Sequence, residues 1–207
     1  MNNQLRQTIA IDIDDVLADT TDALRLWSNE LSGSNLTEEH FKEEGEYWGY
    51  YERVWDQHNI SDVLRYADFH SALIRDEIAI PLLPGAEFAI NELRKRFDII
   101  LITSRSGDLE GVTRSWLKDN FGNHGIKLYF AKNNRYSTES EKKSKGQLCK
   151  ELGASLLIDD SVQHCESALA EDIDVILFGE YGWQKPIPED LRVCKDWPAV
   201  LEYLNGR

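Results

Sequence analysis

The chain has 207 residues, of which 42% are hydrophobic and 29% are charged, and its formal net charge is −14. This length is enough for one domain with a substantial core, or for one domain that carries an insertion. The negative charge argues against a nucleic-acid polymer or an anionic membrane as partner, because both attract basic surfaces. No apolar segment approaches the roughly 20 residues of a membrane helix, and the N-terminus lacks the charged and apolar regions of a signal peptide.

Cysteine usage indicates a reducing compartment. The three cysteines are odd in number and form no CxxC pair: Cys149, Cys165 and Cys194. We therefore expect reduced thiols in a cytoplasmic protein.

The first predicted strand is the short apolar run TIAI at residues 8–11, which leads into Asp12, Asp14 and Asp15. Apolar runs bounded by polar residues are typical of strands buried in a parallel sheet. Carboxylates this close repel: two unit charges about 4 Å apart cost roughly 4 kcal/mol at an effective dielectric near 20. A divalent cation such as Mg²⁺ removes that cost, as does a carboxyl group that keeps its proton. The cluster therefore predicts a metal site or acid–base chemistry, although a lone Asp here would more often cap a helix.

An aromatic segment follows the first predicted helix, which covers residues 20–32. From residue 36 to residue 80 aromatic side chains alternate with charges, and no strand-like run of β-branched residues occurs. Residues 37–40 resemble a helix start, and Ser61-Asp62 could cap another helix that runs to about residue 77. We expect a small helical insertion over residues 20–83, in which most aromatic side chains form a packed core rather than a ligand cage.

Strands and helices alternate through the rest of the chain. Apolar runs predict strands at residues 98–103, 126–131, 155–160 and 174–178. Helices are predicted at residues 86–96, 108–121, 144–152, 162–170 and 197–204, and an exposed loop at residues 132–143. This alternation implies an α/β, Rossmann-like parallel sheet with helices on both faces. Residues 1–19 and 84–207 would form this core.

Polar side chains fall at the carboxyl ends of three predicted strands. They are Asp12, Asp14 and Asp15 after the first strand, Thr103, Ser104 and Arg105 after the second, and Asp159 and Asp160 after the fourth. In parallel sheets ligands bind beyond these ends, at a topological switch point. Any one cluster could merely cap the next helix, but the coincidence of three favours a site.

These clusters resemble the four motifs of the haloacid dehalogenase-like (HAD) phosphohydrolases. The matching segments are DIDDVL at 12–17, LITS at 101–104, a basic residue near Lys145 and LIDD at 157–160. The insertion resembles that superfamily's helical C1 cap. Within the superfamily the sequence is most similar to the 5'(3')-deoxyribonucleotidases, in VLAD at 16–19, LPGA at 83–86, Trp116, FG at 121–122, LLIDD at 156–160 and DW at 196–197.

The resemblance implies a Mg²⁺-dependent phosphomonoesterase that acts through an aspartyl-phosphate. Asp12 would be the nucleophile, and Asp14 would protonate the leaving oxygen and then activate water. Asp at position 14 favours phosphatase over dehalogenase chemistry. The implied Mg²⁺ contacts are Asp12, the backbone carbonyl of Asp14 and Asp159, with Asp160 in support.

The same resemblance assigns the residues that would hold the substrate. Thr103 and Ser104 would donate hydrogen bonds to phosphoryl oxygens, and Arg105 would add positive charge. Lys145 is the best candidate for the active-site cation, and Lys142 and Lys143 are nearby alternatives. Aromatic faces stack on nucleobases, so the partner would be a small phosphorylated molecule, a nucleoside monophosphate in particular. Trp48 and Tyr51 are the candidate base contacts.

Two positions depart from the nucleotidase pattern. Family members usually have Gly where this chain has Asp15, which changes a tight turn beside the metal. They often have an aromatic residue at the position of Thr20. The threonine removes the stacking surface that such a residue would offer. A phosphatase for another small metabolite is therefore the competing hypothesis. A non-catalytic phosphate- or Mg²⁺-binding regulator is a further alternative, although such a binder needs no acid at position 14. A phospho-acceptor receiver domain would be shorter and would lack the helical insertion.

Overall fold

A six-stranded sheet forms the centre of the computed structural model, which describes residues 6–122, 125–131 and 143–206. The strands are β1 (Thr8–Ile11), β2 (Asp98–Thr103), β3 (Lys127–Phe130), β4 (Ala154–Asp159), β5 (Asp174–Phe178) and β6 (Val193–Cys194). Their order across the sheet is β3-β2-β1-β4-β5-β6, and each of the five strand pairs is parallel. The predicted parallel α/β architecture is confirmed.

Helices connect these strands. Those within the described residues are α1 (Thr20–Ser32), α2 (Tyr50–Gln57), α3 (Tyr66–Ile74), α4 (Ala86–Leu93), α5 (Glu110–Phe121), α6 (Lys145–Glu151), α7 (Val162–Leu169) and α8 (Trp197–Asn205). Short 3₁₀ turns cover Glu38–Phe41, Gly107–Leu109 and Gly182–Gln184. Each of these helices is too short or too polar to cross a lipid bilayer.

Side chains that alternate along β1 build a core on each face of the sheet. Ile9 and Ile11 pack with apolar residues of α4 and α8. Ala10 faces the other way and packs with Cys149 of α6 and Cys165 of α7. Helices thus cover both faces, which is why the central residues of β1, β2, β4 and β5 are apolar. All three cysteines are buried free thiols.

The site is positioned by the middle of the sheet. β1 pairs with β2 on one side and with β4 on the other, so the chain leaves the centre in both directions. Such a switch point opens a crevice at the carboxyl ends of the strands. The backbone N–H of Asp12 donates to the carbonyl of Ile158 (3.0 Å), which extends the pairing of β1 and β4. Asp12 is thereby fixed beside the end of β4.

Helices α1, α2 and α3 pack on one another through a third apolar cluster. Its buried members are Leu24, Leu36, Phe41, Tyr50, Val54, Trp55, Ile60, Leu64, Phe69 and Trp183. Trp55 is fully buried, and its indole N–H donates to the hydroxyl of Ser28 (3.0 Å). Several of the aromatic side chains between residues 36 and 80 are therefore core, as expected.

Two element predictions need correction, and one lies outside the described residues. The helix expected from Ser61 begins at Tyr66, because residues 61–63 form a turn and Arg65 is extended at φ −133° and ψ 140°. Strand β6 was not predicted, since a two-residue edge strand is too short to show a hydrophobic pattern. The loop predicted at residues 132–143 lies outside the described residues except for Lys143.

Candidate active site

A buried lysine bridges two of the acids that the sequence places at the strand ends. The ammonium group of Lys145 lies 2.7 Å from Oδ2 of Asp12 and 2.7 Å from Oδ2 of Asp159. The Lys145 side chain and that of Asp159 are wholly buried, and Asp12 is 6% exposed. A buried charge is tolerated only when it is paired in this way.

The start of α6 brings Lys145 to this position. Ser144 caps the helix by accepting a hydrogen bond from the N–H of Gln147, whose side chain accepts from the N–H of Ser144. Next to Lys145, Gly146 lets α6 approach α7 closely: a Cβ atom there would lie 1.9 Å from the carbonyl oxygen of Ser167. A side chain at this position would push the lysine away from the acids.

Among the three lysines considered from the sequence, Lys145 alone is shown at the acids. Lys143 pairs with Glu151 at 2.7 Å on the surface, and Lys142 lies outside the described residues. Burial alone would lower the pKa of Lys145, but the charges of Asp12 and Asp159 raise it above its usual value. The lysine is therefore a permanent cation.

Both carboxylate oxygens of Asp159 accept hydrogen bonds. Its Oδ2 accepts from Lys145, and its Oδ1 accepts from the N–H of Ser161 and from Nδ1 of His164, both at 3.0 Å. Because an ionised carboxylate only accepts, Nδ1 of His164 carries the proton. Burial would raise the pKa of Asp159, but the charge of Lys145 and the His164 contact hold it well below its usual range.

Asp12 differs from Asp159 in having one oxygen available. Its Oδ1 is buried and has no hydrogen-bond partner among the described residues. Burial raises the pKa of Asp12 to about 7, and the charge of Lys145 opposes this rise. An unpartnered buried acceptor is costly, so this oxygen is suited to a ligand that binds it.

Asp14 is held by two other groups. The guanidinium of Arg105 donates to both of its oxygens, at 2.7 Å from Nη2 to Oδ1 and 3.0 Å from Nε to Oδ2. The Thr20 hydroxyl donates to Oδ1 at 2.6 Å. Burial would raise the pKa of Asp14, but Arg105 and Thr20 lower it. Thr20, which departs from the nucleotidase pattern, therefore contacts the second acid of the site.

Three further polar residues of the candidate site, Thr103, Ser104 and Arg105, lie at the carboxyl end of β2. Thr103 is fully buried and its hydroxyl accepts from the N–H of Arg105 (3.1 Å). Ser104 and Arg105 both line the pocket. The second terminal nitrogen of Arg105 donates to Thr113 of α5 (3.0 Å), so the arginine is anchored on the side away from Asp14.

Asp160 occupies the opposite side of the crevice. Its Oδ2 accepts a hydrogen bond from the indole N–H of Trp183 (2.8 Å), and its carbonyl accepts from the Gln184 amide (2.8 Å). Burial and the neighbouring charges of Asp159 and Asp12 raise its pKa well above the usual value. The acidic residues that line the pocket within the described residues are Asp12, Asp14, Asp15, Asp160 and Glu52.

Aromatic side chains from the helical segment form the wall of this pocket that faces the acids. They are Tyr47, Trp48, Tyr50, Tyr51 and Tyr66, and Trp183 joins them from the loop after β5. Trp48 is 46% exposed, whereas Tyr51 stacks on Tyr66 with ring centroids 6.0 Å apart. The two predicted base contacts therefore lie in the pocket wall, one at its mouth and one inside.

Several residues of the site were not predicted from the sequence. His164 touches Asp159, Trp183 touches Asp160, and Tyr181 donates its hydroxyl to the carbonyl of Asp15 (3.0 Å). Tyr181 and Trp183 follow the carboxyl end of β5, so their place in the chain was a usable signal. His164 gave no such signal, because it lies within a regular helix.

The comparisons with known proteins concern the fold. No protein-family model matches the sequence, and no curated protein is significantly similar to it. Solved structures match over nearly the whole chain. A HAD-family hydrolase from Deinococcus radiodurans, with bound phosphate and sodium, is 16% identical at a TM-score of 0.62, covering 97% of this chain and 96% of that one.

Two further solved structures are similar to this chain in fold. The Bacillus subtilis HAD hydrolase YfnB, bound to magnesium, is 15% identical at a TM-score of 0.62, with 97% of this chain and 99% of that chain covered. A predicted phosphoglycolate phosphatase from Haemophilus somnus is 13% identical at a TM-score of 0.60, with 96% and 98% covered. The chain therefore has the haloacid dehalogenase-like hydrolase fold. The narrower likeness to the 5'(3')-deoxyribonucleotidases stays a prediction.

Proposed function

We propose that this protein is a Mg²⁺-dependent phosphomonoesterase that acts through an aspartyl-phosphate on Asp12. The observation that carries the proposal is the state of Asp12: Lys145 holds its Oδ2 at 2.7 Å, and its buried Oδ1 has no partner among the described residues. A carboxylate held in one orientation, with one oxygen available beside a second acid, suits nucleophilic attack.

In the proposed first step an oxygen of Asp12 attacks the phosphorus, and the bond from phosphorus to the leaving oxygen breaks. Asp14 gives its proton to the leaving oxygen, and afterwards accepts a proton from the water that hydrolyses the aspartyl-phosphate. Lys145 offsets negative charge at the reacting centre. Thr103, Ser104 and Arg105 would bind phosphoryl oxygens from the end of β2.

Arg105 connects substrate binding to the acid in this scheme. Its contacts with Asp14 lower the pKa of that carboxyl group, which favours the deprotonated form. A phosphoryl group that draws the guanidinium toward itself would weaken those contacts. Asp14 would then bind its proton more strongly, as a general acid must.

The donor set at the crevice fits Mg²⁺. Carboxylates exceed cations here: Asp12, Asp14, Asp15, Asp159 and Asp160 against Lys145 and Arg105. Mg²⁺ prefers oxygen ligands of this kind, and when bound it neutralises charge on the phosphoryl group. Asp12, the Asp14 carbonyl and Asp160 would hold it.

Asp159 is less suited than Asp160 to bind the metal. Asp12, Asp159 and His164 have ligand atoms within 4.8 Å of one another, but the Lys145 ammonium already contacts both acids at 2.7 Å. A metal ion there would meet a cation. Asp159 would instead orient Lys145, and Asp160, which lines the pocket, would take the metal.

Residues 20–83 are proposed to act as the C1 cap over this crevice. The pocket wall formed by their aromatic side chains would face the leaving group, and stacking on such a wall favours a nucleobase. Nucleoside monophosphates are therefore the proposed substrates. Thr20 donates its hydroxyl to Asp14 and offers no stacking face, which favours a second candidate: a phosphatase for another small phosphorylated metabolite.

The test compares substrates and metals. Wild-type protein with Mg²⁺ should hydrolyse p-nitrophenyl phosphate, and should show a higher kcat/KM for a deoxynucleoside monophosphate than for a sugar phosphate or phosphoglycolate. Activity should vanish in EDTA, and Ca²⁺ should restore it poorly because its coordination is longer and looser. Equal efficiencies would favour the second candidate, and no hydrolysis of any ester would contradict the phosphatase.

Two matched variants test the metal assignment. Asp160→Asn should raise the Mg²⁺ concentration for half-maximal activity by about tenfold or more, since it removes one charged ligand. Asp159→Asn should lower stability and activity with a smaller change in that Mg²⁺ concentration. The reverse pattern would assign the metal to Asp159.

A further inference from the structure

Asp15 has a backbone conformation that side chains rarely adopt. Its φ is +56°, in the left-handed region that glycine occupies without strain. The residue is 2% exposed, so its carboxyl group is not simply solvated. A charged residue that is both strained and buried must be held by specific contacts.

Those contacts connect the loop after β1 to helices α1 and α2. Oδ1 of Asp15 accepts from the N–H of Thr21 (2.9 Å) and Oδ2 accepts from the Thr21 hydroxyl (2.8 Å). Oδ2 also accepts from the hydroxyl of Tyr51 (3.2 Å), which lies 2.9 Å from the Thr21 hydroxyl. Each hydroxyl has a single proton: Thr21 uses its proton on Asp15, and Tyr51 shares its proton between Oδ2 of Asp15 and the Thr21 oxygen.

A second set of contacts reaches the opposite side of the crevice. The carbonyl of Asp15 accepts from Tyr181 (3.0 Å), whose ring stacks on Trp183 with centroids 4.5 Å apart. Trp183 donates to Asp160 (2.8 Å) and packs edge-on against Tyr51 with centroids 6.1 Å apart. Asp15 is thus joined to Tyr51 directly and through this aromatic pair.

We propose that Asp15 is a positioning residue that holds Tyr51 in the pocket wall and so fixes the substrate-facing wall relative to the loop of Asp12 and Asp14. This inference rests on the proposed function, in which Tyr51 lies in the pocket wall that faces the leaving group of the substrate. Specificity for a ring-bearing leaving group then depends on the contact between Asp15 and Tyr51. The carboxylate is what distinguishes Asp15 from the glycine that its backbone favours.

The experiment uses Asp15→Gly, which keeps the left-handed backbone, and Tyr51→Phe, which removes one hydroxyl. Each should raise KM for a deoxynucleoside monophosphate by about tenfold, the scale of one hydrogen bond to a charged group. The rise in KM should be clearly smaller for acetyl phosphate, whose leaving group is too small to reach the wall. The double variant should match either single variant, because both break the same contact.

Two matched controls separate the contact from general effects. Asp172→Gly makes the same change at an exposed residue with φ +61°, and Tyr129→Phe removes a hydroxyl from β3, away from the pocket. Neither should change KM. Additive effects in the double variant, equal losses with both substrates, or the same KM rise in the controls would overturn the proposal.

A readout without catalysis keeps the proposal distinct from the proposed function. Amide hydrogen exchange over residues 50–57 should be faster in Asp15→Gly and in Tyr51→Phe, with no change in α4. If the wild type hydrolyses no nucleotide, the substrate proposal fails while this measurement still tests the contact. Unchanged exchange in Tyr51→Phe, which loses only one hydroxyl, would overturn the role of Asp15.

Discussion

The acids at the strand ends and the aromatic segment above them are held by different forces. Asp12, Asp159 and Lys145 are fixed by charge: two carboxylates share one buried ammonium group at 2.7 Å. The aromatic segment is fixed by packing around Trp55 and Phe69, both fully buried. Charge pairing requires particular residue types at particular positions, whereas apolar packing accepts many substitutions of similar volume.

This difference explains why a sequence motif predicts the positions of the strand-end acids but not those of the aromatic side chains. The strand-end acids stand at positions set by the chain itself, directly after apolar runs. The sequence pattern does not distinguish aromatic residues of the pocket wall from those of the apolar core. Trp48 is 46% exposed at the pocket mouth and Trp55 is buried, although both occur in the same segment. Variants in the two regions should therefore fail in different ways.

The largest effect is expected from Asp12→Asn. The amide keeps the shape of the side chain but is a poor nucleophile, so phosphatase activity should fall by at least about 1,000-fold while the protein stays folded. Activity and circular dichroism, with Asp172→Asn as the exposed control, measure both outcomes. A purified, folded Asp12→Asn protein with near wild-type turnover would rule out the covalent route.

Removing the shared cation should damage stability as well as activity. Lys145→Met leaves two buried carboxylates facing each other, and the free energy of unfolding should fall by about 3–5 kcal/mol. Lys143→Met removes the exposed pair with Glu151 and should cost less than about 1 kcal/mol. Urea denaturation in EDTA compares them, and equal losses would mean that the buried network is not specific.

In the aromatic region, stability and selectivity should separate. Trp55→Ala leaves a cavity in the core and should lower the free energy of unfolding by about 3–5 kcal/mol. Trp48→Ala should leave stability within about 1 kcal/mol and lower kcat/KM for a nucleoside monophosphate by about tenfold relative to a sugar phosphate. A nucleotide preference that survives Trp48→Ala would move the base contact elsewhere in the wall.

The smallest effect is a pH dependence of the metal-free protein. Burial raises the pKa of Asp12 and of Asp15 from 3.8 to about 7, and burial with the charge of Asp159 raises the pKa of Asp160 well above its usual value. Groups with a raised pKa contribute stability that is fully present below 3.8 and is lost as the pH rises through about 7. Between about pH 5 and pH 8 in EDTA, the free energy of unfolding should fall on the order of 1–3 kcal/mol.

Asp15→Asn should flatten part of this pH slope, because it removes one of the carboxyl groups whose pKa burial raises. Asp159 gives no contribution in the same range, since its pKa is lowered and its effect falls at acid pH. Thermal unfolding at a series of pH values measures the slope. Stability that rises with pH over this range would mean that Asp12 and Asp15 are ionised and compensated in the folded state.

By itself the sequence determined the parallel sheet and the location of the site. Apolar runs alternating with helices dictate parallel strands, and strand ends share one edge, so Asp12, Thr103 and Asp159 had to meet there. Lys145 could be anticipated only through the resemblance, because a lysine at a helix start is usually solvated. Local pattern carries this information because a strand's burial shows in its own residues, and the helix between two successive strands makes them parallel.

Only the tertiary structure decided which groups complete the site. Lys145 and His164 contact the two oxygens of Asp159, whereas Oδ1 of Asp12 has no partner in the part of the chain that the structure describes; this difference depends on how α6 and α7 pack on β4. The contact of Asp15 with Tyr51 joins residues 36 positions apart, and that of Trp183 with Asp160 joins residues 23 apart. Hydrogen bonds are short and directional, so partners distant in the chain are chosen by how whole elements pack, which no local pattern records.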